Sequence, residues 1–337
     1  MNWWTRTSSE KLEEAEDAML EPLFGLQGLE RRMVEIDDGV FINTLTIAHA
    51  DPSAPVLVMA HGYGAGLALY SKNLAELSQT YTIHAFDWLG FGRSSRVAYR
   101  GKDTRDAEEW FLSAVDKWLD ALGVDEPVHF LGHSMGGYLT AVYGMTRPQR
   151  VRNLILVSPV GVPHRPTGEQ WRRIPLAARA IVKVGAVLGL SPMSIVRAAG
   201  PWGQGMIRRT RSHMSRKFAD LYDDVDVVNE YSFHVSVQPG AGEFAVQHHI
   251  LGEFAYAVDP LIDRLHEMRV PTTFMYGETD WMDRTAGGEA MKTMRAFTDL
   301  LVIPAAGHNM FADNAPTFNA QVVASIERMN AHEHVDA

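Results

Sequence analysis

One serine and one histidine stand in settings where they could make and break an acyl bond. The segment Gly132-His133-Ser134-Met135-Gly136-Gly137 fits the pattern Gly-x-Ser-x-Gly. An apolar run, Val128 to Leu131, precedes it, and a helical pattern marked by Leu139 and Val142 follows. A strand that turns this abruptly into a helix strains the serine backbone and exposes its Oγ. Glycine at the flanking positions gives the chain room for that turn. The helix N-terminus behind the serine favours the negative charge that develops in acyl transfer. Serine is a weak nucleophile until an imidazole takes its proton. In this arrangement the partners follow in the order serine, acid, histidine, with the histidine in a loop after the last strand. Of fourteen histidines, His308 fits, because Leu300 to Ile303 reads as that strand and Gly307 frees the turn. The acid should follow the preceding strand, Thr272 to Tyr276, which points to Asp280 in Gly277-Glu278-Thr279-Asp280. Glu278 and Asp283 are its rivals. Asp87 also ends a strand, where ligands bind in such sheets, but a turn-stabilising role suits it better.

A second glycine-rich loop, His61-Gly62-Tyr63-Gly64-Ala65-Gly66, follows the apolar run Val56 to Ala60. Its backbone could face the serine, so that the N–H groups of Tyr63 and Met135 form an oxyanion hole. A dinucleotide-binding loop is the competing interpretation, and the glycine spacing fails it. His61 and His133 lie inside these loops. There histidines more often hold the chain by hydrogen bonds, although His133 is also close enough to be a substrate contact.

These residues need a scaffold of parallel strands. Val40 to Ile47, Val56 to Ala60, Tyr81 to Phe86, Val128 to Leu131, Leu154 to Val157, Thr272 to Tyr276 and Leu300 to Ile303 read as strands, several apolar throughout. Such runs suit strands buried on both faces. Between them, Phe111, Val115, Trp118 and Leu122 recur at helical spacing, and Gly123 is a stop signal. The alternation implies an α/β fold with a mostly parallel, doubly wound sheet of about eight strands. It breaks between about Pro163 and His266. The expected organisation is an N-terminal amphipathic segment (1–30), a core in two pieces (31–163 and 266–337) and a helical cap (164–265) above Ser134. The tail after Met329 is expected to fray, and its His332 and His334 suit a solvated tail better than a metal site.

The chain has 337 residues and a formal charge of −10. That charge argues against nucleic acid as the main partner. The absence of cysteine excludes disulfides, a thiol nucleophile and a Cys-ligated zinc site. No cofactor or metal is expected. No apolar run is long enough to span a bilayer, and the N-terminus lacks the features of a secretory signal. From Arg165 to Lys217, eleven Lys or Arg face a single acid, Glu169, so that this stretch is +10 and the remainder −20.

The motifs HGYGAGLALY, HAFDWLGFGRSS, LGHSMGGYL, VRNLILVSPVG and AGHNMFAD resemble one subfamily of the α/β-hydrolases. It includes the lipid-droplet lipase co-activator, the N-acyl-phospholipid lipases and the fungal cardiolipin deacylases. The likeness extends to Ala199-Gly200-Pro201 and Tyr231-Ser232-Phe233-His234 within the insertion. The co-activator branch carries Asn in place of the nucleophile and lacks the acid. Ser134, Asp280 and His308 therefore align this chain with the catalytic branch. The resemblance implies a serine hydrolase acting on phospholipid acyl esters or amides, with anionic lipids such as cardiolipin as plausible substrates. Two alternatives accompany it: a lysophospholipid acyltransferase using the same triad, and a non-catalytic adaptor on lipid droplets or a lipase. The subfamily's His-x4-Asp pattern, here His308 to Asp313, has been linked to acyl transfer; Asp313 would otherwise start a helix. A dehalogenase or epoxide hydrolase needs a carboxylate where Ser134 stands.

The cap's cations could meet anionic headgroups, at ~1 kcal/mol each near an anionic surface, or pair with the acidic core. Arg172, Arg173, Arg208, Arg209 and His234 are the cap candidates for substrate contact. Trp3 and Trp4 precede a short amphipathic helix in which Thr7 and Glu10 suggest a capping box. Its acidic face includes Glu16. The tryptophans suit a lipid interface or packing against the core. The expected location is cytoplasmic, peripheral on a membrane or lipid droplet, with mitochondria as an alternative and secretion excluded.

Overall fold

A computed structural model describes residues 3–167, 183, 185, 190–224, 226–252 and 255–333. Among these residues eight strands form one sheet. They are β1 (Leu29–Asp37), β2 (Val40–Ile47), β3 (Val56–Ala60) and β4 (Thr82–Phe86), then β5 (Val128–His133), β6 (Val151–Val157), β7 (Thr272–Gly277) and β8 (Thr298–Ile303). The spatial order is β1-β2-β4-β3-β5-β6-β7-β8. β2 runs antiparallel to both its neighbours, and every other pairing is parallel.

The central strands are apolar because both their faces are covered. Every residue of β5 and of β7 is buried. Successive side chains of β3 feed opposite cores: Val58 and Ala60 enter one, Leu57 and Met59 the other, as the strand period of two requires. Helix α3 (Thr104–Leu122) and helix α4 (Met135–Thr146) cover the first face. Helix α1 (Ser9–Leu20), helix α2 (Ser71–Leu77) and the helix Ala315–Glu333 contribute to the second. β1 escapes sequence recognition for a physical reason. It is an edge strand, LERRMVEID, with one buried residue, Val34, so it carries no apolar run.

Between β6 and β7 the described residues form helices and turns, with one isolated bridge from Leu251 to Ala257. The helices include Pro192–Ala198, Gly203–Thr210, Ser212–Lys217 and Asp226–Val237. Helix α1 packs against the last of these. The expected capping box at Thr7 is corrected. Ser8 caps α1, accepting from the Lys11 amide, because the Thr7 hydroxyl is engaged by His234 Nδ1 at 2.8 Å and Gln238 Nε2 at 3.0 Å. The C-terminal helix also runs past Met329 to Glu333, and the His332 ring stacks on Phe297 at 4.0 Å; His334 lies outside the described residues. No helix among the described residues is long and apolar enough to cross a membrane.

Candidate active site

Ser134 occupies the turn between β5 and α4 with φ 55° and ψ −114°. A non-glycine residue in that region costs ~1–3 kcal/mol, and such strain gathers at functional sites. The turn is as tight as the glycines imply. A Cβ on Gly132 would lie 2.5 Å from the Gly136 carbonyl oxygen, and one on Gly136 would lie 2.6 Å from the carbonyl oxygens of Ala60 and His61. Gly62 approaches from β3; a Cβ there would lie 3.0 Å from Ser134 Cβ. The loop after β3 is thus pressed against the serine, with Tyr63 and Met135 both beside it.

His308 lies after β8 and Asp280 after β7. The His308 Nδ1–H donates to Asp280 Oδ1 at 3.2 Å. Asp280 also accepts from the Met282 amide at 3.0 Å and from the Ser158 hydroxyl. Burial pushes the Asp280 carboxyl up, but the hydrogen bonds from His308, Ser158 and Met282 outweigh it and hold it below its ordinary value. The rival acids are engaged elsewhere. Asp283 caps the helix Arg284–Met291, and Glu278 accepts from the Ala305 amide at 2.9 Å. Ser134 and His308 line the same two cavities. Among the described residues no hydrogen bond yet joins the Ser134 hydroxyl to the His308 ring; such contacts commonly tighten when substrate binds.

Ser158 was not anticipated. It follows the last residue of β6 at φ 45°, the position that Ser134 holds after the neighbouring β5. A serine followed by proline at a strand's C-terminal end was the available signal, since ligands gather there in such sheets.

Other residues hold the frame. Asp87 is fully buried and accepts from the amides of Leu67 and Arg93 and from Asn43 Nδ2, each at 2.8 Å. That fixes the turn it begins and the loop carrying Tyr63. His61 Nδ1 donates to the Gly62 carbonyl at 2.8 Å and its Nε2 accepts from the Trp88 amide at 3.2 Å. His133 borders the cavity, where it could meet a substrate, and it also braces the site: its Nε2–H donates to the His308 carbonyl at 2.9 Å. Burial, then the neighbouring His308, lowers its pKa to about 3, so the ring is neutral. Asp313 ends the short helix Met310–Asp313 rather than starting one. It accepts from the Gly307 amide at 2.9 Å and pairs with Lys217 at 2.8 Å, bracing the His308 loop against the cap.

The cap candidates fare differently. His234 is buried against Thr7 and lines neither cavity, because α1 covers its helix. Arg208 pairs with Asp226 at 2.9 Å on the surface, and Arg209 is exposed away from both cavities. Arg172 and Arg173 lie outside the described residues. Among the described cap cations, Arg211 borders the site, and its Nη1 donates to the Gly64 carbonyl at 2.8 Å. Glu16 is likewise corrected. It is buried rather than solvated, bound by Asn43 Nδ2 at 2.9 Å and Arg93 Nη1 at 2.9 Å. Trp4 packs on the cap, its ring N–H donating to the Arg197 carbonyl at 3.1 Å, while Trp3 is 80% exposed.

Ser134 borders two cavities that differ in character. One, of about 190 Å³, is mixed: Arg211, His213, Ser232 and Asn309 border it together with Leu69, Met214 and Phe311. The other, of about 570 Å³, is lined among others by Val160, Leu190, Ile195, Leu251 and Trp281. Its size falls in the usual ligand-pocket range of ~300–1,000 Å³. The larger cavity can hold an apolar chain on one side of Ser134, and the smaller offers polar groups, Arg211 among them, on the other.

Residues 55–182 match the family model described as the alpha/beta hydrolase fold. The chain is 38% identical over 296 residues to a (lyso)-N-acylphosphatidylethanolamine lipase from Homo sapiens, covering 86% of this chain and 84% of that one. It is 35% identical over 322 residues to the 1-acylglycerol-3-phosphate O-acyltransferase ABHD5 from Homo sapiens, covering 94% and 89%. Among solved structures, carboxylesterase CesB (YbfK) from Bacillus subtilis superposes with a TM-score of 0.64 at 18% identity, covering 94% of this chain and 98% of that one, a likeness of fold alone. With its eight-stranded sheet, its Gly-x-Ser-x-Gly elbow and relatives this similar over most of its length, the chain belongs to the α/β-hydrolase family, in the subfamily of the (lyso)-N-acylphosphatidylethanolamine lipases and ABHD5.

Proposed function

We propose that this protein is a serine hydrolase that cleaves acyl ester or N-acyl bonds of phospholipids through an acyl-enzyme. The observation that carries this proposal is the strained Ser134 beside an Asp280-oriented His308, at the mouth of a large apolar cavity. Ser134 Oγ attacks the acyl carbonyl carbon while His308 Nε2 takes its proton. The N–H groups of Tyr63 and Met135 receive the oxyanion. The intermediate collapses, His308 returns the proton to the departing lipid oxygen or nitrogen, and the acyl group remains on Ser134. Water, activated by the same imidazole, then releases the fatty acid. Asp280 holds the His308 tautomer and stabilises the imidazolium. Anionic glycerophospholipids, cardiolipin among them, are the favoured substrates because of the basic cap. A peripheral position on a lipid surface is supported by Trp3, Trp202 and Trp281, which are 80%, 73% and 65% exposed.

A second possibility is acyl transfer, favoured by the likeness to ABHD5 proteins whose name is an acyltransferase's. It needs only a lipid hydroxyl in place of water. The test incubates the protein and Ser134→Ala with mixed phospholipid liposomes, with and without a lysophospholipid acceptor, followed by mass spectrometry. Fatty acid release that falls ~10⁵-fold or more in the variant supports hydrolysis, and serine-dependent acylation of the acceptor supports transfer. No turnover, together with no labelling of Ser134 by a fluorophosphonate, overturns both and leaves a non-catalytic adaptor.

A further inference from the structure

The cap arginines differ in what they touch. Arg197 is bound to Glu243 inside the cap, and Arg208 is paired with Asp226 on its surface. Arg211 is partly buried, and no described carboxylate lies within ion-pair distance of it. It borders the same small cavity as Ser134. One of its five N–H donors is spent on the Gly64 carbonyl; a Cβ on Gly64 would lie 2.8 Å from Nη2. Withdrawing a cation from water without a counter-charge is costly, and here it is done beside the nucleophile. His213 borders the same cavity; burial first, then Lys217, Arg211 and Arg216, push its ring below its ordinary value against the pull of Asp313, so a neutral ring rather than a second cation stands beside Arg211. The opposite cavity is apolar. An acyl ester held on Ser134 with its chain in that cavity would direct its other substituents toward Arg211.

In a glycerophospholipid the phosphate is only a few bonds from the ester carbonyl. We propose that the Arg211 guanidinium binds the headgroup phosphate of a glycerophospholipid whose acyl group is on Ser134, and so selects phosphate-bearing lipids over neutral glycerolipids. This rests on the phospholipid substrate proposed above. The planar fork suits two phosphate oxygens at once. Because the same guanidinium holds the Gly64 carbonyl, next to the oxyanion residue Tyr63, a bound headgroup would also steady that loop.

The test compares kcat/KM for 1-oleoyl-lysophosphatidic acid and 1-oleoylglycerol, equal in acyl chain and presented in the same detergent micelles, using the full chain, Arg211→Gln and Arg211→Lys. The native protein is expected to favour the phosphate-bearing lipid. Arg211→Gln is expected to reduce that preference ~30-fold, as the loss of a charge-assisted hydrogen-bonded pair implies, and Arg211→Lys to restore part of it. Glycerol 3-phosphate should inhibit 1-oleoylglycerol hydrolysis more strongly than inorganic phosphate, and less so in Arg211→Gln. Equal losses on both lipids would make Arg211 a holder of the Gly64 loop and overturn the proposal, as would an unchanged preference. Inorganic phosphate competing as well as glycerol 3-phosphate would overturn the lipid assignment in favour of a free-anion site. If the native protein itself does not distinguish the two lipids, the phospholipid substrate fails first, whatever the variants do.

Discussion

The core and the cap meet at Ser134 but contribute in different ways. On the core side, Ser134, Asp280 and His308 follow the C-terminal ends of the parallel strands β5, β7 and β8, and close backbone contacts fix their spacing. On the cap side, single side chains reach in, Ile195 from a short helix and Arg211 from the junction of two, and they line the larger and the smaller cavity respectively. The difference separates two tasks. On the proposed mechanism, core contacts determine whether the chemistry runs, and cap contacts determine what it runs on.

The sharpest challenge to that division is Asp280→Asn. It keeps the shape but removes the carboxylate that orients His308, and a loss of ~10⁴-fold in kcat is expected. Steady-state kinetics should show the same loss for short and long, charged and neutral esters. A loss confined to one substrate class would mean that the core, too, selects substrates.

The seam between the two regions has its own signature. Glu16 on α1 is bound to Asn43 and Arg93 of the core, while α1 packs on the cap helix Asp226–Val237. Burial and then the Asp87 carboxylate raise Glu16 from 4.5 to about 7, against the pull of Arg93 and Arg31. The folded state therefore holds this proton more tightly than the unfolded chain. Its contribution is fully present at low pH and is lost as pH rises through the window from 4.5 to about 7. The loss should be ~3 kcal/mol. Denaturant titrations of the native protein and Glu16→Gln across that window should diverge by this amount, the variant being relatively more stable at the alkaline end. Parallel curves would mean that Glu16 is ionised at little cost.

The smallest expected effect concerns the residue that the sequence motifs overlooked. Ser158→Ala removes one donor from Asp280 and leaves two. A fall in kcat of ~10-fold, with KM little changed, corresponds to one hydrogen bond to a charged group. The fall should be equal for 1-oleoyl-lysophosphatidic acid and 1-oleoylglycerol. A change in the preference between them would give a core residue the selectivity assigned here to the cap.

Much of the core was legible because its signals are local. The strand–serine–helix turn, the glycines that allow it and the apolar runs of β3, β5 and β7 are written within short stretches. β1 was not legible, since an edge strand with one solvated face needs few apolar residues. Nor were Glu16 and Thr7, whose polar side chains suit a helix surface or a cap equally well. Their partners, 77 residues away at Arg93 and 227 away at His234, made the difference.

By itself the sequence determined a mostly parallel sheet, the strand–serine–helix turn that makes Ser134 the proposed nucleophile, and the chain order that points to His308, because spacing along a strand or a turn follows from backbone geometry. Only the tertiary structure decided which of the described cap cations borders the cavity beside that serine. Arg208 and Arg211 lie on neighbouring turns of chain with the same charge. One meets Asp226 at the surface, and the other meets the Gly64 carbonyl, 147 residues away, in the cavity wall. A side chain's charge is set by its type, but its partners are set by which elements the fold brings against it.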